Sequence, residues 1–540
     1  MQRYGKLKQL LQKNTGFKYL EKKVRIVRSF IHTVQISVKK KLFWYWGFKI
    51  FRIIAFCIGM LFFVRTFSYH SAIINLNAPQ DYREDKQVLF TQRILDNKPI
   101  FTASSMPAYT QDYGMLYNYV VAAIAKFSGS SYVLHRIVSA LFMFLCFAWL
   151  YKIARKIGGD WLTSFLGILI LYHYAAFSQV ENGPRPDSMG LFLFFVTVFV
   201  PWFLNFSYLS LIASIVASIM AFYTKPYFVL GVVYVGAYLL VCRHIKKAFV
   251  FAVSWIILFG LVALWVNWKY DFYFFNTLII PNNYISNLGW HLQLQTKDFI
   301  VRDFALFITS FIAVSATLTA FIQRKKNIAH YPPAYFIICL LVSWIIIIGR
   351  MGGNAGAYLT YYNQLITPFM ILIAVAYWRN NRSIVLVAFL VVSIFVLLIK
   401  TNFTVDVQAI NKNRKEWEQY LNTYTSIFPL PSFSYYVYTR GMPVYDAGDA
   451  EYFPQGIPKN GSRQSNIADK IYKESIKDFE KKVNNKEFDI LTYLVPYTNG
   501  VNNLMYSGYV RDLVKTRYRY AGIKKWITAY RNDEIEIWVR

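Results

Sequence analysis

Two groups of residues have types and spacing that could do chemistry: the acidic cluster Asp81, Glu84 and Asp85, and the tripeptide Arg185, Pro186, Asp187. A carboxylate can take the proton of an acceptor hydroxyl, and a guanidinium can hold a phosphate. Together they offer both halves of a transfer reaction. The same residues have plainer readings: acids in a loop are commonly solvated, and Arg185 and Asp187 can pair with each other to close two neighbouring helices. The histidines suggest no metal site, because His70 and His291 stand isolated. A divalent ion held by Asp81, Glu84 and Asp85 stays open as an alternative.

These residues must be positioned by elements built for lipid. Of 540 residues, 56% are hydrophobic, 19% aromatic and 16% charged, a balance foreign to soluble chains of this size. Spanning takes roughly 17 to 25 mostly apolar residues, and about eleven runs approach that length. They are Phe43 to Val64, Tyr132 to Tyr151, Trp161 to Phe177, Met189 to Asn205, Tyr208 to Tyr223, Tyr227 to Cys242, Ala248 to Trp268, Phe304 to Ile322, Ala334 to Gly349, Tyr358 to Trp378 and Ile384 to Ile399.

The chain carries 59 Lys plus Arg against 28 Asp plus Glu, a formal net charge of +31. In a membrane chain this excess belongs to cytoplasmic loops facing anionic lipid rather than to nucleic acid. With the N-terminus inside, the inner loops hold Lys152, Arg155 and Lys156; Arg243, Lys246 and Lys247; Arg324, Lys325 and Lys326; and Arg379 and Arg382. The acids between the first and last runs fall outside or at the outer edge, Asp160 excepted. An odd span count then puts the tail on the outer side.

The expected fold class is therefore an α-helical polytopic membrane protein of about eleven transmembrane helices with a small C-terminal soluble α/β domain. Residues 1–42 form a basic cytoplasmic segment, either an amphipathic helix on the inner leaflet or a disordered tail. Residues 43–400 form the membrane domain, with a long outer loop at 65–131 in which Gly114 to Phe127 suits an interfacial helix. Lys269 to Arg302 reads as a second outer loop with an aromatic rim. Residues 401–540 form the outer domain, with strands expected at Ser434 to Tyr438, Asp489 to Leu494, Trp526 to Tyr530 and Glu534 to Val539, and a helix at Ile467 to Val483. The four cysteines sit in apolar runs and imply no disulfide framework.

Order and spacing add a resemblance. The stretch EDKQVLFTQRILDNKPIF from Glu84, followed by QDYGMLYNYVVAAIAKFSGSSYVLHRIVSALF, resembles the first outer loop of polyprenyl-phosphate-sugar-dependent glycosyltransferases of the C-type membrane fold. That superfamily includes protein O-mannosyltransferases and aminoarabinose transferases. Glu84 and Asp85 occupy its acidic pair, Arg93 its Arg, Tyr113 to Leu116 its YGPL-like site, and Arg136 to Leu141 its R-x-x-S-A-L. Arg185 to Asp187, Ala221 to Tyr227 (AFYTKPY) and Tyr361 to Pro368 (YYNQLITP) follow in the family's order, over roughly the first 375 residues. The chain departs from the pattern in its Glu-Asp order, in Val88 for an aromatic, and in Met115 for Pro.

The resemblance implies an inverting glycosyltransferase that moves a hexosyl or pentosyl group from a polyprenyl-phosphate donor to a glycan, lipid or protein acceptor at the outer face of the cell's inner (plasma) membrane. It implies Glu84 as the base with Asp85 as its helper, Asp85 being the close alternative for the base and Asp112 an outsider, and Asp112, Arg136, Arg185, Asp187, Lys225 and Arg350 as substrate-binding residues, with no metal and no cofactor. Lys225 and Arg350 stand at outer span ends, at the depth of a lipid phosphate; Lys225 also reads as a snorkelling anchor. The rival class is a transporter or flippase of a lipid-linked or anionic substrate. The runs lack the mid-span acid and the repeated broken-helix pair that such proteins use.

Overall fold

The computed structural model describes residues 46–178, 182–283, 288–324, 333–353, 359–378, 383–428, 431–445, 457–494, 508–529 and 532–540. The basic segment 1–42, Glu181, and the inner-loop residues Lys325, Lys326, Arg379 and Arg382 lie outside the described residues. The chain divides into two units, residues 1–59 and 60–540. The described part of the first unit, residues 46–59, is the opening half of the helix Trp46–Ile74.

The protein is a polytopic α-helical membrane protein. Among the described residues, four helices are long and apolar enough to cross a bilayer alone: Trp46–Ile74, Tyr132–Lys156, Ile245–Lys269 and Ser383–Lys400. Trp161–Phe177, Asp187–Phe203, Tyr208–Thr224, Pro226–Val241 and Ala334–Gly349 are apolar but shorter. At about 1.5 Å per residue, 17 residues reach roughly 25 Å. The helix Ile245–Lys269 turns its apolar side chains outward, with Leu264 71% and Phe249 68% exposed, as lipid rather than water requires.

Two of the expected elements differ. The run Tyr358 to Trp378 breaks into the helices Thr360–Leu365 and Thr367–Tyr377. Pro368, in the first turn of the second, has no N–H to continue the ladder. Ser343 Oγ donates to Leu365 O at 2.6 Å, which satisfies a carbonyl beside the break. The expected outer loop at Lys269 to Arg302 contains the helix Leu288–Arg302, which meets the helix Phe304–Arg324 at a bend of 89°.

The tail forms a four-stranded sheet: β1 (Ile427–Phe428), β2 (Ile490–Leu494), β3 (Arg519–Ile527) and β4 (Asn532–Val539), in the order β1-β2-β4-β3. β1 and β2 are parallel, and β4 runs antiparallel to both of its neighbours. The helices Val407–Asn422 and Arg463–Asn484 accompany it. One core cluster, with Phe428, Phe479, Phe488 and Leu491, lies within the tail; another is shared. Trp417, Phe433, Trp526 and Ile535 pack in one cluster with Tyr69, Ile73, Leu76 and Leu89 from the end of the first helix and the outer loop.

Ser434 to Tyr438, expected as a strand from its aromatic content, is the helix Ser434–Thr439. The helix is set by a distant partner: its Tyr435 N–H donates to Asp85 Oδ2 at 2.8 Å. A carboxylate at a helix start satisfies an orphan donor and favours the helix over local β propensity.

Candidate functional site

The outer loop folds around the helix Tyr82–Leu95, whose N-cap Asp81 accepts from Arg83 N–H. A helix turns about 100° per residue, so Arg83 and Lys86 share a face from which Glu84 and Asp85 turn away. That rotation sorts the loop's charges into two environments.

The first environment is closed. Glu84 Oε2 accepts from Gln80 N–H at 2.6 Å and from Arg136 Nη2 at 2.7 Å. Arg136, fully buried, also donates to Leu76 O and, at 2.8 Å, to Ala78 O. Burial pushes the Glu84 carboxyl above its ordinary value, with the Arg136 guanidinium opposing the rise. Asp85 accepts from the Tyr132 hydroxyl and from Tyr435 N–H. Burial pushes it up to about 6, against the pull of Arg414 and these hydrogen bonds.

The second environment is a cavity of about 630 Å³. Four cations line it, Arg83, Arg185, Lys225 and Arg350, with one carboxylate, Asp112, and the phenols Tyr113, Tyr227 and Tyr361. The remaining wall is largely apolar, including Phe222, Val229, Leu230, Leu278, Ile345 and Ile346. The cations come from separate elements: Lys225 caps the end of Tyr208–Thr224, Arg350 follows Ala334–Gly349, and Arg185 precedes Asp187–Phe203.

Tyr113 is the hub of the charged end. Its hydroxyl accepts from Arg185 Nη2 at 2.6 Å, and its ring lies 4.6 Å from Lys225 Nζ and 5.5 Å from Lys86 Nζ. Burial pushes its phenol up to about 12, opposed by Arg185. Lys225 Nζ donates to the buried Asp187 Oδ1 at 2.7 Å. Arg185 lies 3.6 Å from Asp81 Oδ2 and 3.8 Å from Asp187 Oδ2. Asp112, 28% exposed, accepts from Lys86 Nζ at 2.7 Å. Burial alone would raise the Asp112 carboxyl; the Lys86 ammonium, with Arg83 and Lys225 behind it, outweighs burial and holds the group below the usual range.

Gly114 permits this closeness. A Cβ there would stand 2.2 Å from Tyr223 O, so the loop backbone lies directly on the end of the helix that presents Lys225.

Of the expected site residues, Asp112, Arg185, Lys225 and Arg350 meet in one cavity, and Asp187 stands behind Lys225. Glu84, Asp85 and Arg136 are not among the described residues that line it. Asp81, Glu84 and Asp85 diverge to separate partners, and no group of three or more His, Cys, Asp or Glu among the described residues could hold a metal ion. The sequence reading did not select Arg83, Lys86, Tyr113 or Tyr227. Tyr113 and Tyr227 lay inside quoted motif stretches, and the i, i+3 spacing of Arg83 and Lys86 was a signal for a shared basic face.

The fold and site define a membrane protein with an amphiphilic cavity, lined by apolar side chains and by four cations. No family model and no curated protein matches the sequence. Among solved structures the chain is similar to ArnT from Cupriavidus metallidurans bound to undecaprenyl phosphate, at 12% identity and a TM-score of 0.49, over 90% of this chain and 97% of that one. It is also similar to the oligosaccharyltransferase AglB from Archaeoglobus fulgidus in complex with an inhibitory peptide and a dolichol-phosphate, at 10% identity and a TM-score of 0.45, over 81% of this chain and 69% of that one. Both are polyprenyl-phosphate-dependent glycosyltransferases of the C-type membrane fold.

Proposed function

We propose that this chain is an inverting glycosyltransferase that moves a hexosyl or pentosyl group from a polyprenyl phosphate to a glycan, lipid or protein acceptor at the outer face of the plasma membrane. The observation that carries the reading is the composition of the cavity, in which four cations and one carboxylate share the lining with a largely apolar wall. A prenyl chain suits the wall, and the phosphate suits the cations.

In this reading Lys225, Arg185 and Arg350 hold the donor phosphate. The acceptor hydroxyl attacks the anomeric carbon from the side opposite the phosphate. A carbon–oxygen bond forms as the bond to the phosphate oxygen breaks; the electron pair leaves with the phosphate, and the acceptor proton passes to a carboxylate. A single displacement inverts configuration. Asp112 is the carboxylate placed for that proton, kept ionised at neutral pH by Lys86. Glu84 and Asp85 fix the loop that carries the site.

The test is the fate of the donor. Purified protein in liposomes, given a sugar-labelled polyprenyl phosphate and an envelope extract as acceptor, should release polyprenyl phosphate and pass the label to the acceptor. Movement of the intact donor between leaflets without cleavage would establish the transporter instead. The outer placement of the tail is tested separately by a reporter active only in the cytoplasm, fused after Arg540, which should stay silent.

A further inference from the structure

The cations of the cavity are not equivalent. Lys225 is neutralised by Asp187 at 2.7 Å, and Arg185 is shared between Asp81 and Asp187. Arg83 differs. Among the described residues its guanidinium makes no hydrogen bond and no ion pair at contact distance, although Asp81 and Asp112 act on it from further off; its Nε, like that of Arg185, is buried without a partner. It rests against the Tyr82 ring, 5.1 Å from its centre, and lines the cavity from the loop side. A guanidinium is always charged and offers a planar fork of donors matched to phosphate oxygens. Its remaining donors, not engaged by the described residues, are open to a ligand in the cavity.

We infer that Arg83 is the residue that receives the charge appearing on the departing phosphate. This assignment rests on the donor reading above and deepens it. The bound donor is a phosphodiester with one negative charge. When the bond to the anomeric carbon breaks, the electron pair stays on the former bridging oxygen, and the product is a monoester approaching two negative charges. Cations already balanced by carboxylates contribute to holding donor and product alike. A cation with no carboxylate in contact contributes most where the charge is new, which lowers the barrier rather than tightening the ground state. Arg83 thus distinguishes the leaving group from the donor.

The experiment needs no knowledge of the acceptor. Two probes are titrated into the purified full chain in nanodiscs at pH 8: polyprenyl phosphate, the dianionic product, and the same lipid with its phosphate capped by a methyl group, a monoanion that stands for the donor. The wild type should bind the dianion about tenfold to a hundredfold tighter, the worth of one charge-assisted contact. Arg83→Gln should bring that ratio close to one and leave the affinity for the capped lipid within about threefold. Its retained binding of the capped lipid is the control for folding, and Arg83→Lys should restore part of the preference. Lys225→Met should weaken both probes alike. A wild type without preference, an Arg83→Gln variant that keeps the wild-type ratio, or one that loses both probes equally would overturn the assignment. A wild type that binds neither lipid would instead remove the donor reading, and the role of Arg83 with it.

Discussion

The two faces of the helix Tyr82–Leu95 differ in what their charges meet. On one side Arg83 lines an open cavity, and Lys86 pins Asp112, which lines it too. On the other, Glu84 and Asp85 disappear into the protein, one onto Arg136 and the other onto Tyr132 and the start of the helix Ser434–Thr439. Four consecutive charged residues therefore do two kinds of work. The closed face ties the outer loop to the first spans and to the C-terminal sheet; the open face is left able to meet a ligand. A charge buried in a pair contributes little net stability but is costly to orphan, so the closed face acts as a fixed mount for the open one.

The comparison breaks most readily at its carboxylates. Asp112→Asn should lower transfer per folded molecule by about a hundredfold to ten thousandfold, the usual range for losing a general base. Glu84→Gln should show the reverse pattern. It leaves the Arg136 guanidinium buried without its counter-charge, and breaking such a pair costs about 3–5 kcal/mol. The folded yield and the unfolding midpoint should drop, while activity per folded molecule changes little. If Glu84→Gln folds normally and abolishes transfer, the two faces have been assigned the wrong way round.

A smaller effect is expected where the open face meets the membrane helices. In Gly114→Ala the new Cβ would stand 2.2 Å from Tyr223 O, so the loop must lift from the helix that ends at Lys225. Displacing reacting groups by about 1 Å can cost around a hundredfold in rate. The variant should insert and fold but transfer slowly, and a measured rate near wild type would show that Asp112 and Lys225 do not act together.

Much of the fold was legible because lipid imposes simple rules. Each of the apolar runs overlaps a helix, and the interfacial stretch from Gly114 became the helix Leu116–Ser128. Asp112, Arg185, Lys225 and Arg350, far apart in the chain, line one cavity. What remained hidden depends on partners far away in sequence. The partner of Glu84, Arg136, comes from 52 residues further on. Ser434 to Tyr438 looks like a strand until Asp85 caps it from 350 residues away. The tail reads as a separate module, yet Trp417 and Trp526 share their core with Leu76 and Leu89 of the loop side. Local pattern carries propensity and face, but not which face finds a counter-charge.

The smallest effect separates the faces by sign. Asp85 titrates at about 6 in the folded protein against an ordinary value of 3.8. The folded chain therefore binds this proton more tightly than the unfolded one, and stability falls as pH rises between about 4 and 6. Above that window both states are ionised, and the cost of the buried charge is constant. Asp112 has the opposite shift: its carboxyl is held below the usual range, so the stability it contributes is present above the ordinary value and is lost only at more acidic pH. Glu84 shifts in the same direction as Asp85, so the wild-type slope contains both. Unfolding midpoints measured from pH 4.5 to 6.5 should accordingly depend less steeply on pH in Asp85→Asn than in the wild type, since the Asn side-chain oxygen can still accept from Tyr435 N–H. Asp112→Asn should shift the whole curve without changing its slope across that range. Equal slopes in wild type and Asp85→Asn would mean that Asp85 is not buried as a charge, and the closed face would lose its distinction from the open one.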